Sequence, residues 1–249
     1  MPKRVLVFVS LVVASAKLAL VGLVVRDPHI QWSLIGGTLS FSVLGAVACY
    51  FSYKLHATTS GAATLVPFLV AVILYPSWPT LVLVALAVCF AESNKKKQPA
   101  IKAIFNIAQQ ALAVATAVAV FTLLGGQSLQ VKQDLQILPE ALAIISFLLV
   151  NTLAVAAVVG VNERKNFILV WRENVRGSLK NYVVSIPWVH AFALVYCKFD
   201  YWGVFFIAIL LFGLRQLNYS TIQLQKYNQE LLELLVQTVE MRDPYTSGH

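Results

Sequence analysis

Long apolar runs separated by short polar connections dominate the chain. Eight of them stand out, at 5–25, 32–53, 61–75, 80–91, 101–124, 138–161, 182–197 and 201–214. A helix needs about 20 apolar residues to cross a hydrocarbon core of ~30 Å. Inside that core a backbone must satisfy its own hydrogen bonds, which favours helices. The pattern therefore predicts an all-α fold, a polytopic transmembrane bundle of about eight spans. The third, fourth and eighth runs are short for a full crossing. Pro76-Ser77-Trp78-Pro79 divides the third from the fourth. That pair is expected to form either two tilted helices or a re-entrant hairpin, and both return the chain to the same side.

Beyond the eighth run the pattern changes. Leu210, Leu217, Leu224 and Leu231 recur every seven residues, with Ser220, Tyr227 and Leu234 three residues after the last three. A sustained 3.5-residue period predicts a coiled coil, most simply a parallel homodimer. A single amphipathic helix covering a downstream domain of its own chain is the alternative. The helix is expected to end near Arg242, because Pro244 disfavours helical geometry at Asp243. Three regions follow: a membrane domain at 1–215, a polar helix or coiled coil at 216–241, and a short terminal segment at 242–249.

Composition agrees. The 249 residues are 59% hydrophobic and 12% charged, against about 25% charged in a typical soluble domain. The net charge of +8 is carried by short clusters between apolar runs, not by a basic face of the kind that binds nucleic acid. With the N-terminus inside, the inner side receives fifteen basic residues: Lys3, Arg4, Lys54, Lys95, Lys96, Lys97, Lys102, Arg164, Lys165, Arg172, Arg176, Lys180, Arg215, Lys226 and Arg242. The outer side receives three, Arg26, Lys132 and Lys198. That bias predicts cytoplasmic termini by the positive-inside rule. The first run is expected to be a retained helix, since it is too long for the apolar core of a signal peptide. Cys49, Cys89 and Cys197 show neither metal spacing nor a disulfide framework and are expected to pack as small apolar residues.

The 162–180 stretch interleaves Phe167, Ile168, Val170, Trp171 and Val175 with Arg172 and Arg176. It is expected to be either a short helix in the headgroup layer or a basic loop. The outer loop at 127–136 is too short for an external ligand-binding domain, so a signal would be sensed within the membrane or at its surface.

Within the runs, a few polar residues are candidate sites. Lys17 lies near the middle of the first, where a charge is costly; it is expected to face a cavity, to pair with Glu140 or Glu92, or to snorkel. Asn106, Gln109 and Gln110 share one face of the fifth run, and Asn151 and Thr152 lie midway along the sixth. They predict either interhelical hydrogen bonds or a polar ligand pocket. His29, His56 and His190 have no paired spacing that would indicate a metal site.

The last residues carry chemistry. Glu240, Arg242, Asp243, Tyr245, Thr246, Gly248 and His249 follow an apolar helix. The segment resembles the opening of HD-GYP phosphohydrolases, E-x-[RK]-D-x-Y-T-x-G-H. Membrane-anchored members often carry a basic cluster, then Lys and F-N-x-x-Q, resembled here by Lys102, Phe105, Asn106 and Gln109. They also carry Asn-Thr-Leu in the next helix, resembled by Asn151, Thr152 and Leu153. The resemblance implies a parent protein in the bacterial inner membrane that hydrolyses cyclic di-GMP with a divalent metal pair, iron or manganese. His249 would then be the first metal ligand, and Tyr245, standing where three-metal members carry Glu, implies a two-metal site. No His-Asp or Gly-Tyr-Pro is present, so the chain is expected to be a fragment without catalytic competence. A small-molecule transporter or solute-binding membrane protein is the alternative, since short broken helices can line substrate sites.

Overall fold

The computed structural model describes residues 3–53, 61–95, 99–131, 134 and 136–242. The chain is all-α: α1 (Lys3–Arg26), α2 (Trp32–Tyr53), α3 (Gly61–Leu74), α4 (Trp78–Ser93), α5 (Ala100–Leu123), α6 (Ile137–Glu163) and α7 (Phe167–Arg242). Five stretches are long and apolar enough to cross a membrane: Lys3–Arg26, Trp32–Tyr50, Ala100–Leu123, Ile137–Glu163 and Ser185–Gly213. Leu65–Leu74 and Trp78–Ser93 are shorter apolar helices. The chain divides into two compact units, Met1–Phe205 and Phe206–His249.

In the first unit α5 is the most enclosed of the long helices, with 61% of its apolar window buried. It packs on α1, α3, α4 and α6. Ala108, Ala111, Ala113, Ala115 and Ala117 are all buried, and such small side chains let helix backbones approach closely in a membrane bundle.

α3 is buried on every face from Leu65 to Tyr75, as a helix apolar all round requires. Its 14 residues span only about 21 Å. Protein rather than lipid surrounds it, which removes the need for a full-length crossing. The last carbonyls of a helix still need donors, and the 124–136 loop supplies them. Leu129 donates its N–H to Ile73 O at 3.1 Å, Ser128 Oγ donates to Leu74 O, and Gln130 Nε2 reaches Leu74 O and Leu34 O at 3.1 Å each. Leu129 is fully buried. The polar 124–136 loop is thus a plug seated on the end of α3.

The α3–α4 connection is a tight turn. Pro79 occupies the first turn of α4, where a missing N–H costs nothing. Gln31 N–H donates to Tyr75 OH at 2.9 Å and Ser77 Oγ to Asp27 Oδ2 at 2.9 Å. Together with the Ser128 and Gln130 bonds to Leu74 O, these gather the α1–α2, α3–α4 and α5–α6 connections at one end of the bundle. The basic residues Lys3, Arg4, Lys95, Lys102, Arg164 and Lys165 belong to the opposite ends of their helices. Exposed Trp32, Phe199, Tyr201 and Trp202 stand at the turn end, where aromatic residues suit a membrane interface.

α6 stops at Arg164, a left-handed residue at φ 55, and Lys165 N–H bonds back to Gly160 O at 3.2 Å. α7 then starts at Phe167. The 162–180 stretch is therefore not a separate surface helix: from Phe167 it belongs to the helix that runs on to 199. At 1.5 Å per residue that arm is about 50 Å long, more than a ~30 Å core requires.

Asp200 breaks α7, with φ 47 and ψ −131. A side chain at Gly203 would meet the Val195 carbonyl oxygen at 2.7 Å. Along an unbroken helix those positions would be about 12 Å apart. Asp200 therefore puts a sharp break inside the Ser185–Gly213 stretch, between the seventh and eighth apolar runs.

The second unit is helical to Arg242. Lys226 and Glu230 form an i,i+4 ion pair at 3.7 Å. Leu217, Leu224 and Leu231 are 66%, 62% and 57% exposed.

Candidate functional site

The polar residues of α5 and α6 meet in one seam. Asn106, Gln109 and Gln110 occupy a single helix face because i, i+3 and i+4 do so. Gln109 is buried and its Nε2 donates to Asn151 Oδ1 across the interface. Beside Asn151, Thr152 Oγ1 donates to Leu148 O at 2.8 Å and accepts from Trp171 Nε1 at 3.3 Å. The seam thus links α5, α6 and the first arm of α7. Gln110 is buried and its Oε1 lacks a hydrogen-bond partner, as do Ser42 Oγ and Trp78 Nε1. Asn106 is half-buried one turn nearer the basic end.

Lys17 is exposed on α1 and outside this seam. Its possible acidic partners are engaged elsewhere: Glu92 pairs with Lys95 and Glu140 with His190. A lysine on the outer face of a span can carry its ammonium toward the headgroups along its own stem.

A second site escaped sequence reasoning. His190 Nδ1 lies 2.8 Å from Glu140 Oε2 and 3.0 Å from Oε1. The two side chains are 14% and 4% exposed. Glu140 occupies the first turn of α6, where a carboxylate favours the positive helix end, and Gln136 N–H approaches Oε1 at 3.3 Å. The only signal in the sequence was an ionisable residue inside each of two apolar runs.

Tyrosines on either side of the Asp200 break seat α7. Tyr196 is buried edge-on to Phe41, with ring centres 6.0 Å apart. A side chain at Gly37 would run into the Tyr196 ring, and one at Gly36 into the Tyr201 hydroxyl. Two adjacent glycines therefore make the notch in α2 into which these tyrosines fit. Cys197 Sγ donates to Leu129 O at 3.4 Å, tying the arm to the plug.

The predicted seam Leu210, Leu217, Leu224 and Leu231 lies on the exposed surface of the second unit's helix. His249 and the rest of 243–249 lie outside the described residues, as does His56. Among the described residues no three His, Cys, Asp or Glu side chains converge to hold a metal ion.

Apolar helices enclosing a polar seam and a buried ionisable pair, followed by a helix with an uncovered leucine stripe, define a polytopic helical membrane protein. Its family follows from residues 3–229, which match the MASE9 family model. The chain belongs to MASE9, a membrane-associated sensory family. No curated protein and no solved structure matches it.

Proposed function

We propose that this chain is the sensory and anchoring membrane region of a bacterial HD-GYP-type cyclic di-GMP phosphodiesterase. In this reading its termini are cytoplasmic, in the inner membrane. The bundle receives a signal, and the helix at 216–241 carries it as a parallel homodimer to a catalytic domain holding a divalent metal pair. The observation that carries the reading is the exposed leucine stripe at 217, 224 and 231, on a helix that leads to Glu240, Arg242, Asp243, Tyr245, Thr246, Gly248 and His249. Uncovered leucines at heptad spacing call for a partner helix. Membership of a membrane-associated sensory family supports the sensing half.

Reading the gene past codon 249 tests the catalytic half. An open frame encoding His-Asp and Gly-Tyr-Pro is the expected result, and a stop codon overturns it. The purified 249-residue chain is expected not to hydrolyse cyclic di-GMP with added manganese or iron. Turnover lost in His249→Ala would contradict that.

A further inference from the structure

We propose that Asn106 and Gln110 of α5 form a binding site for an uncharged, membrane-soluble molecule that carries a hydroxyl group. The proposal deepens the sensory reading above by naming the class of signal, and it rests on that reading for its purpose alone. Gln110 is 9% exposed and its Oε1 has no hydrogen-bond partner. Buried polar atoms are nearly always bonded, and leaving one unpaired costs stability that a leucine in the same place would not. A polar group kept inside a membrane bundle at such a cost points to binding rather than to packing.

The face that carries Gln110 is distinct from the two contacts already described. Phe105 meets Phe8 of α1, with ring centres 6.3 Å apart, and Gln109 meets Asn151 of α6. At about 100° per residue, Gln110 lies roughly 140° round the helix from Phe105 and 100° from Gln109. Asn106, Gln110, Ala113 and Ala117 share one sector of about 60°. Ala113 and Ala117 are fully buried, so the two amides are the long side chains of that sector. Asn106 is half-buried, one turn nearer the basic end, and leaves the sector open on that side.

The surroundings select the ligand. An orphaned carbonyl oxygen needs a donor, and an amide beside it both donates and accepts, which suits a hydroxyl. Counting from Ala100, Asn106 lies about 9 Å and Gln110 about 15 Å along the helix, below the layer where phosphate headgroups stay. The helices that pack on α5 offer no free charge there. α3 has no ionisable side chain and α5 has none after Lys102. Glu92 of α4 pairs with Lys95, Glu140 of α6 with His190, and Arg26 of α1 bonds to Thr122. Lys17 is exposed on α1. A charged ligand would meet no counter-charge, whereas a neutral hydroxyl loses little on leaving water if both its hydrogen-bonding capacities are met.

The test uses the full chain in phosphatidylcholine nanodiscs, photolabelled with a diazirine-bearing dodecanol and mapped by mass spectrometry. Adducts are expected around Asn106 and Gln110. Excess dodecanol should suppress them about fivefold more effectively than dodecyl methyl ether, which has the same chain and no donor, because one neutral hydrogen bond is worth about that factor. Gln110→Leu should lower the adduct yield by a similar factor and erase the difference between alcohol and ether. Gln110→Met, matched in length and lacking the amide, makes the same comparison should leucine impair insertion. Adducts absent from α5, or undiminished in these variants, overturn the site. Equal suppression by alcohol and ether overturns it too, and leaves Oε1 to an ordered water. Crosslinking at Leu224→Cys is read with and without dodecanol. Adducts as expected with unchanged crosslinking uphold the site and remove its sensory purpose. Missing adducts with crosslinks intact remove the site and leave the sensory reading standing.

Discussion

Replacing Gln109 with Leu removes one half of the bond that joins α5 to α6. Gln109 is 4% exposed, so water cannot readily replace its partner. A side-chain hydrogen bond between helices in a membrane bundle averages about 0.6 kcal/mol and reaches about 1.7. The single variant loses more than the bond, because half-buried Asn151 Oδ1 is left without its donor, and an abandoned polar group costs up to about 1–3 kcal/mol when fully buried. Asn151→Leu should cost a similar amount by stranding Gln109 Nε2. The double variant Gln109→Leu/Asn151→Leu strands neither and should return to within about 1 kcal/mol of the parent, since removing both partners is often nearly neutral. The cycle is read from denaturant unfolding in mixed micelles, followed by circular dichroism. Strictly additive losses would refute the seam, because residues that do not share an interaction add. Gln110→Leu is a companion with the opposite sign. Its Oε1 has no partner to lose, so this substitution should be neutral or stabilising.

Two other outcomes follow from the packing and the charge pattern. Gly203→Val drives a side chain into the Val195 carbonyl, 2.7 Å from the position of its Cβ. It should disturb the break at Asp200 and lower the unfolding temperature, whereas Gly22→Ala, where nothing lies within 4 Å, should leave that temperature unchanged or raise it. Reporter fusions within 127–130 should read the outer side and fusions after Thr238 the cytoplasm, and a C-terminal reporter on the outer side would invert the topology.

The apolar runs are legible because membrane helices must be long and apolar, and Pro76 and Pro79 mark the α3–α4 turn in the sequence itself. The shared face of Asn106, Gln109 and Gln110 was legible from helical spacing, but the choice of Asn151 as partner depends on helix rotation, which the sequence does not display. Glu140 and His190 were hidden for a similar reason. They are 50 residues apart, and no local spacing joins them. Asp200 hid differently, because a left-handed conformation at a residue other than glycine leaves no mark beyond a polar break at 198–200. The 162–180 stretch, read as a short headgroup-layer helix or a basic loop, differs because its interleaved Arg172 and Arg176 hide the continuity of the helix from Phe167. Gly177 and Pro187 are accommodated within the helix, and it runs on to the break at Asp200.

The leucine stripe bears the central claim, that a membrane sensory bundle hands its state to a paired output helix. Disulfide crosslinking in native membranes tests it most directly. Leu224→Cys and Leu231→Cys, each introduced singly, should give linked dimers under mild oxidation. Gln225→Cys, off the stripe, should link poorly. Leu224→Asp should weaken dimerisation while leaving membrane insertion intact. Equal linking at all three cysteine positions, or none at any, would contradict the parallel pair and leave the stripe to cover a domain of its own chain.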